Sequence, residues 1–114
     1  MVLKYQQIQQ LLEQLSDELK SLQLWQSKPP AAAALRSVEP FAVDTLAFHQ
    51  WLQFVMIPRM QVLIAQRHPL PDKMAVSPMA VQVYRGELKI HRNLIACLRE
   101  IDTLVTGVDP LQAS

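Results

Sequence analysis

The residues of this chain with the greatest capacity for chemistry are one cysteine, three histidines and a limited set of arginines and lysines. Nucleophilic catalysis needs a nucleophile, a base and a group that orients the base. Cys97 has His91 and His49 as candidate bases. His91 precedes it by six residues on one expected helix, which separates the two by about 120° around the axis. They therefore do not meet. Cys97 also falls on the apolar stripe of that helix and is expected to act as a small buried hydrophobe. Metal chemistry fares no better. His49, His68 and His91 fall on separate elements, and no pair at helical spacing has a third ligand beside it. The Glu-x-x-His pattern of di-iron bundles is absent, since Leu46, Ala65 and Leu88 occupy that offset. Two isolated glycines, Gly86 and Gly107, cannot build a phosphate-cradling loop. No catalytic residue, cofactor or metal is expected, and the chain is not read as an enzyme.

Three features are compatible with binding. Arg59 would project with Phe48 and Leu52 into an apolar face if its helix were regular, and an unpaired guanidinium there is costly. Either a kink at Pro58 swings it outward, or it pairs with Glu39, Asp44 or Asp72, or it serves as an anion or partner contact beside Trp51. Next, residues 58–99 carry seven basic side chains against two acidic ones. Lys89, Arg92 and Arg99 fall within about 80° of one helix, opposite its core stripe. A basic stripe can contact phosphates, although no aromatic residue interleaves it to stack bases. Finally, the helix holding Trp51 to Met60 is apolar nearly all round. Leu46, Ile57 and Ile64 sit among its glutamines, where they either pack inside the molecule or meet a partner or a second copy.

Helices must position these groups. Tyr5, Ile8, Leu12, Leu15, Leu19 and Leu22 alternate in steps of three and four, which predicts a helix over residues 3–25 ended by Pro29 and Pro30. Residues 26–43 read as a long connection, with Phe41 as an anchor into the core. A second helix is predicted from Asp44, its N-cap, to Gln66, with a kink at Pro58. Ser77-Pro78 opens a short third helix, with serine as the cap, that reaches Arg85. The fourth is predicted over residues 87–106, with Gly107 as its C-terminal cap. Leu94, Cys97, Leu98, Ile101, Leu104 and Val105 form its core face. The expected fold is all-α: an antiparallel four-helix bundle with a long first connection, a kinked second helix and a short third one. Residues 1–107 form its single domain and residues 108–114 a flexible tail.

At 114 residues, half of them hydrophobic, the chain can bury one core without disulfides. A net charge of +1 does not mark a dedicated polyanion binder. Residues 1–10 hold four glutamines and no apolar run, so no signal peptide is expected. The most apolar stretch, residues 41–64, carries Asp44, His49 and Arg59, which a membrane span tolerates poorly. A lone cysteine suits a reducing compartment. A cytoplasmic location is expected by elimination.

The run Pro40-Phe41, Asp44-Thr45, Trp51-Leu52-Gln53, Val55, Ile57-Pro58-Arg59-Met60 and Pro69-Leu70-Pro71, with Trp25 before the prolines, resembles the YqcC-like family of small bacterial proteins. The resemblance implies a four-helix bundle of unknown function and supplies no catalytic residue. It also implies an association with tRNA modification, because such proteins are often encoded beside a tRNA pseudouridine synthase. The leading expectation is a non-enzymatic binding or adaptor protein. It would use the surface from Trp51 to Met60, with Trp51, Ile57 and Arg59 as contacts to an unknown protein partner or a second copy. The alternative is an accessory RNA-binding protein that uses Lys89, Arg92 and Arg99.

Overall fold

The computed structural model describes residues 2–112. Among the described residues, two short 3-10 turns (Ala34–Arg36 and Pro40–Ala42) lie in the connection, and four longer helices build the fold: α1 (Val2–Ser21), α2 (48–65), α3 (Ser77–Val83) and α4 (Arg92–Thr106). No strand occurs among the described residues. Neighbouring helices run antiparallel. The first turns of α1 and the last turns of α4 line one groove, and the Tyr5 hydroxyl donates to the His68 carbonyl just past α2 at 2.8 Å. The start of α2 meets the end of α3 through Phe48 and Tyr84. Ile8, Leu12, Leu15 and Leu19 of α1 join Leu52, Ala80, Leu94, Leu98 and Ile101 in one core.

The expected bundle is present, but several boundaries move for identifiable reasons. α1 ends at Ser21, before the prolines are reached. Gln23 turns left-handed at φ 62°, and the Leu24 N–H reaches back to the Leu19 carbonyl at 2.8 Å. This is the usual hydrogen-bond pattern of a helix stop, made here without glycine. Asp44 does not cap α2. Its carboxylate instead accepts from the Ser37 hydroxyl within the connection. α2 starts after Ala47, where the Gln50 side chain accepts from the Ala47 N–H at 2.8 Å. Alanine has no side-chain acceptor, so only this half of a capping box is made.

The irregularity expected at Pro58 is a π-turn. Residues Leu52–Met56 adopt it between the α-turns Phe48–Trp51 and Ile57–Ala65, and the Ile57 N–H bonds to the Leu52 carbonyl five residues back. A proline in an α-helix collides with the carbonyl four residues earlier, and the wider turn relieves that contact. One extra residue per turn also rotates every later side chain by roughly 100°. Ile57 and Met60 therefore enter the core. Val62, expected on the face of Phe48 and Leu52, becomes 52% exposed.

The third helix is short, as expected, but Ser77 is its first residue and not its cap. Residues 87–91, predicted as the first turn of the last helix, form a separate turn. Gly86 at φ +89° makes that break. Gly107 caps α4 in the left-handed conformation, with its N–H on the Thr103 carbonyl at 2.7 Å.

Candidate functional site

The segment from Trp51 to Met60 is mostly interior. Leu52, Gln53, Met56, Ile57 and Met60 are all buried. Ile57, expected as a partner contact, is a core residue, because the π-turn rotates it inward. Leu46 is buried as well and Ile64 packs against the core. Apart from Val62, the apolar excess of this helix is thus taken up within the molecule. Trp51 is half-buried under Phe41, edge to face at 4.8 Å. Phe41 does serve as the anchor of the connection, and both it and Ala42 hold left-handed backbone angles. Such angles are unfavourable for residues with a Cβ, and the ring contact offsets part of that cost. Arg59 is exposed. It makes no ion pair with Glu39, Asp44 or Asp72, and the same rotation that buried Ile57 carries it outward.

Gln53 explains why a polar residue stands in this stretch. Its side-chain oxygen accepts from the Gln26 N–H at 2.9 Å, and its side-chain nitrogen donates to the Gln26 carbonyl at 2.7 Å. The Gln50 amide reaches the Gln26 side chain at 3.2 Å. A buried amide paired at both ends satisfies the connection's backbone where water is excluded.

The basic stripe is less continuous than predicted. Arg92 opens α4 and is exposed, whereas Lys89 precedes the helix on the 87–91 turn. Arg99 is tied to Asp109 by a contact of 2.6 Å and a second bond of 2.8 Å. That hydrogen bond raises the Arg99 pKa and holds the Asp109 carboxyl below the ordinary carboxylate value. One of the three expected cations is therefore already neutralised.

Asp102 was not singled out by the sequence, yet it is the most constrained ionisable group. It is fully buried on α4. It accepts from the Val76 N–H at 3.1 Å, the Ser77 N–H at 2.8 Å and the Ser77 hydroxyl at 2.7 Å. The last helix thus caps α3 from outside, which is why Ser77 does not cap it. Burial pushes the Asp102 pKa up against these bonds. The available signal was its register, four residues after Leu98 and three before Val105, inside the core arc.

The remaining candidates for chemistry each have structural partners. The Cys97 thiol is buried, donates to the Leu11 carbonyl at 3.2 Å and is pushed up to about 12 by burial. Burial lowers His49, partly offset by the nearby Leu24 backbone. His91 stacks on Tyr84 with ring centres 3.8 Å apart. Among the described residues no group of His, Cys, Asp or Glu side chains is arranged to hold a metal ion. No described helix is long and apolar enough to cross a membrane. A broad groove of about 1030 Å³ lies between α1 and α4, with Leu3, Leu11 and Leu104 among its lining residues. It holds no such cluster.

An antiparallel four-helix bundle is the class that the fold defines. A family model named DUF446 and described as tRNA pseudouridine synthase C matches residues 7–104, and the chain belongs to that family. An uncharacterised protein of Haemophilus influenzae is 51% identical over 72 residues, which are 63% of this chain and 68% of that one. Uncharacterised protein YqcC of Escherichia coli is 32% identical over 93 residues, covering 82% of this chain and 85% of YqcC. The solution NMR structure of YqcC matches with a TM-score of 0.82 at 28% identity, over 97% of this chain and 95% of that one. A tRNA pseudouridine synthase C of Pectobacterium carotovorum subsp. carotovorum is 38% identical over 65 residues. Those are 57% of this chain and 17% of that much longer protein.

Proposed function

We propose that the chain is a non-catalytic, cytoplasmic binding module whose partner is a tRNA pseudouridine synthase. The observation that carries this reading is the 65-residue match inside a much longer protein named tRNA pseudouridine synthase C. A segment like this one occupies 17% of that polypeptide, and a module that shares a chain with an enzyme is held beside it at high effective concentration. In this reading the module's own surface makes that contact. The structural contacts of Cys97 with Leu11, of His91 with Tyr84 and of Asp102 with Ser77 are consistent with such a role.

The test is direct binding between this chain and the separately expressed tRNA pseudouridine synthase of its own organism. Titration calorimetry and mass by light scattering are expected to give a one-to-one complex with a dissociation constant in or below the micromolar range, on the order of −8 kcal/mol. No complex at about 100 μM of each protein, a concentration where an affinity of that order saturates, overturns the reading.

A second reading, accessory RNA binding, is supported by the exposure of Lys89 and Arg92. With Arg99 paired to Asp109, the stripe offers few free charges. Retention of the chain alone on tRNA, lost when Lys89 and Arg92 are changed to Gln, would favour it over the protein partner.

A further inference from the structure

The turn that joins α3 to α4, with the helix ends that flank it, combines three exposed aliphatic side chains with three exposed cations. Val83 is 43% exposed, Leu88 43% and Ile90 64%. Arg85, Lys89 and Arg92 are exposed, and no carboxylate of the described residues lies within ion-pairing distance of them. Within this turn only Glu87 opposes their charge. The turn is also held by contacts of its own. Gly86 supplies the left-handed step at φ +89°, and the Glu87 N–H closes on the Tyr84 carbonyl at 2.8 Å. His91 lies flat on Tyr84, and its Nδ1 is 2.9 Å from the Glu87 carbonyl. A carbonyl only accepts, so that nitrogen carries the proton. Tyr84 in turn sets its ring edge against Phe48 in the core. The exposed aliphatics are thus presented on a turn bolted down from beneath, which lowers the ordering cost of binding.

Resting on the function proposed above, we infer that this turn, residues 83–92, is the docking tip for the synthase. The surface it fits is an apolar spot rimmed by carboxylates. Complementary charge would steer the encounter, and burial of Leu88 and Ile90 would hold the complex. RNA is the poorer occupant. Phosphates leave Leu88 and Ile90 uncovered, and the one aromatic phenol of the turn, Tyr84, is buried and unable to stack a base. An anionic membrane is poorer too, since its recognition by charge draws on clusters of about four to eight cations.

The experiment uses the full chain and the same synthase with three variants. Leu88→Asp with Ile90→Asp removes the apolar contact, and Arg85→Glu with Lys89→Glu and Arg92→Glu reverses the charge. Val38→Asp alters a 94%-exposed aliphatic on the first connection as a control. All altered positions are exposed, and circular dichroism checks that each variant folds. Both tip variants are expected to bind at least about tenfold more weakly, with Val38→Asp unchanged. Wild-type affinity in both tip variants, or an equal loss in Val38→Asp, overturns the tip while the synthase reading stands. Failure of the wild-type chain to bind the synthase overturns both. Binding to tRNA or to phosphatidylserine vesicles that needs the three cations but ignores Leu88→Asp and Ile90→Asp, with synthase binding unaltered, also overturns it.

Discussion

Asp102 is fully buried, and no cation pairs with it among the described residues. Three donors from the start of α3 hold it instead. Asp102→Ala leaves those donors unpaired and should cost about 1–3 kcal/mol of stability, read as a lower urea midpoint. Its titration has a definite sign. Burial raises the folded-state pKa above the ordinary 3.8. The folded protein therefore keeps the proton where the unfolded chain has lost it. This contribution to stability is complete below the unfolded pKa and disappears as pH rises through the folded one. Urea unfolding from pH 4 upward should show that decline in the wild type, and Asp102→Asn should flatten it. Cys97 makes a second prediction at this scale. A thiol pushed up to about 12 is almost entirely protonated at neutral pH. Its alkylation in the native protein should be about a hundredfold or more slower than in urea. Rapid native labelling would contradict the buried thiol and its bond to Leu11.

At the scale of the element, α2 shows local and tertiary forces acting together. Pro58 disfavours a regular turn, and the π-turn that accommodates it also sets which side chains face inward. Burial of Leu52, Met56, Ile57 and Met60 then holds the widened turn in place. Reverting to a regular helix would rotate Ile57 and Met60 out of the core, forfeiting roughly 1.5–3 kcal/mol for each such side chain. Removing the proline should therefore not remove the turn. Because Pro58 stands in the first turn after the widened one, where proline is tolerated, Pro58→Ala should shift stability by less than about 1 kcal/mol, and an experimental structure of the variant should keep Ile57 buried and Arg59 outside. A regular helix with Arg59 inside would show that proline alone sets the turn.

At the scale of the whole molecule, all four helices contribute to one core cluster, and the connection is sewn onto α2 through Gln53. A chain of this size with a shared core should unfold in a single step. Far-ultraviolet dichroism and tryptophan fluorescence should give coincident urea transitions, because Trp25 and Trp51 report on the connection and α2 while dichroism reports on all helices. An early fluorescence transition would mark the connection as a separate cooperative unit. The same scale explains the weakened basic stripe. Arg99 reads as a free cation along α4, but the chain beyond Gly107 brings Asp109 back to it. That pair lies at the surface and contributes little to stability. Its effect is on the charge that the surface offers.

Periodicity and punctuation alone settle much of this protein. The three-and-four spacing of α1, the core stripe of α4, the break at Gly86 and the cap at Gly107 all depend on residues close in sequence, and each is legible there. So is the inert character of Cys97, which follows from its place on an apolar stripe. The tertiary structure decides what depends on distant partners. Asp102 caps a helix that begins 25 residues earlier, a relation no local pattern contains. The outward turn of Arg59 and the burial of Ile57 share one cause, a single extra residue in one helical turn, and a sequence read at 100° per residue cannot register it. Trp51 to Met60 first stood out as an apolar surface. Once that phase shift is included, most of the segment faces the core, and Val83, Leu88 and Ile90 stand exposed near Arg85, Lys89 and Arg92 between α3 and α4.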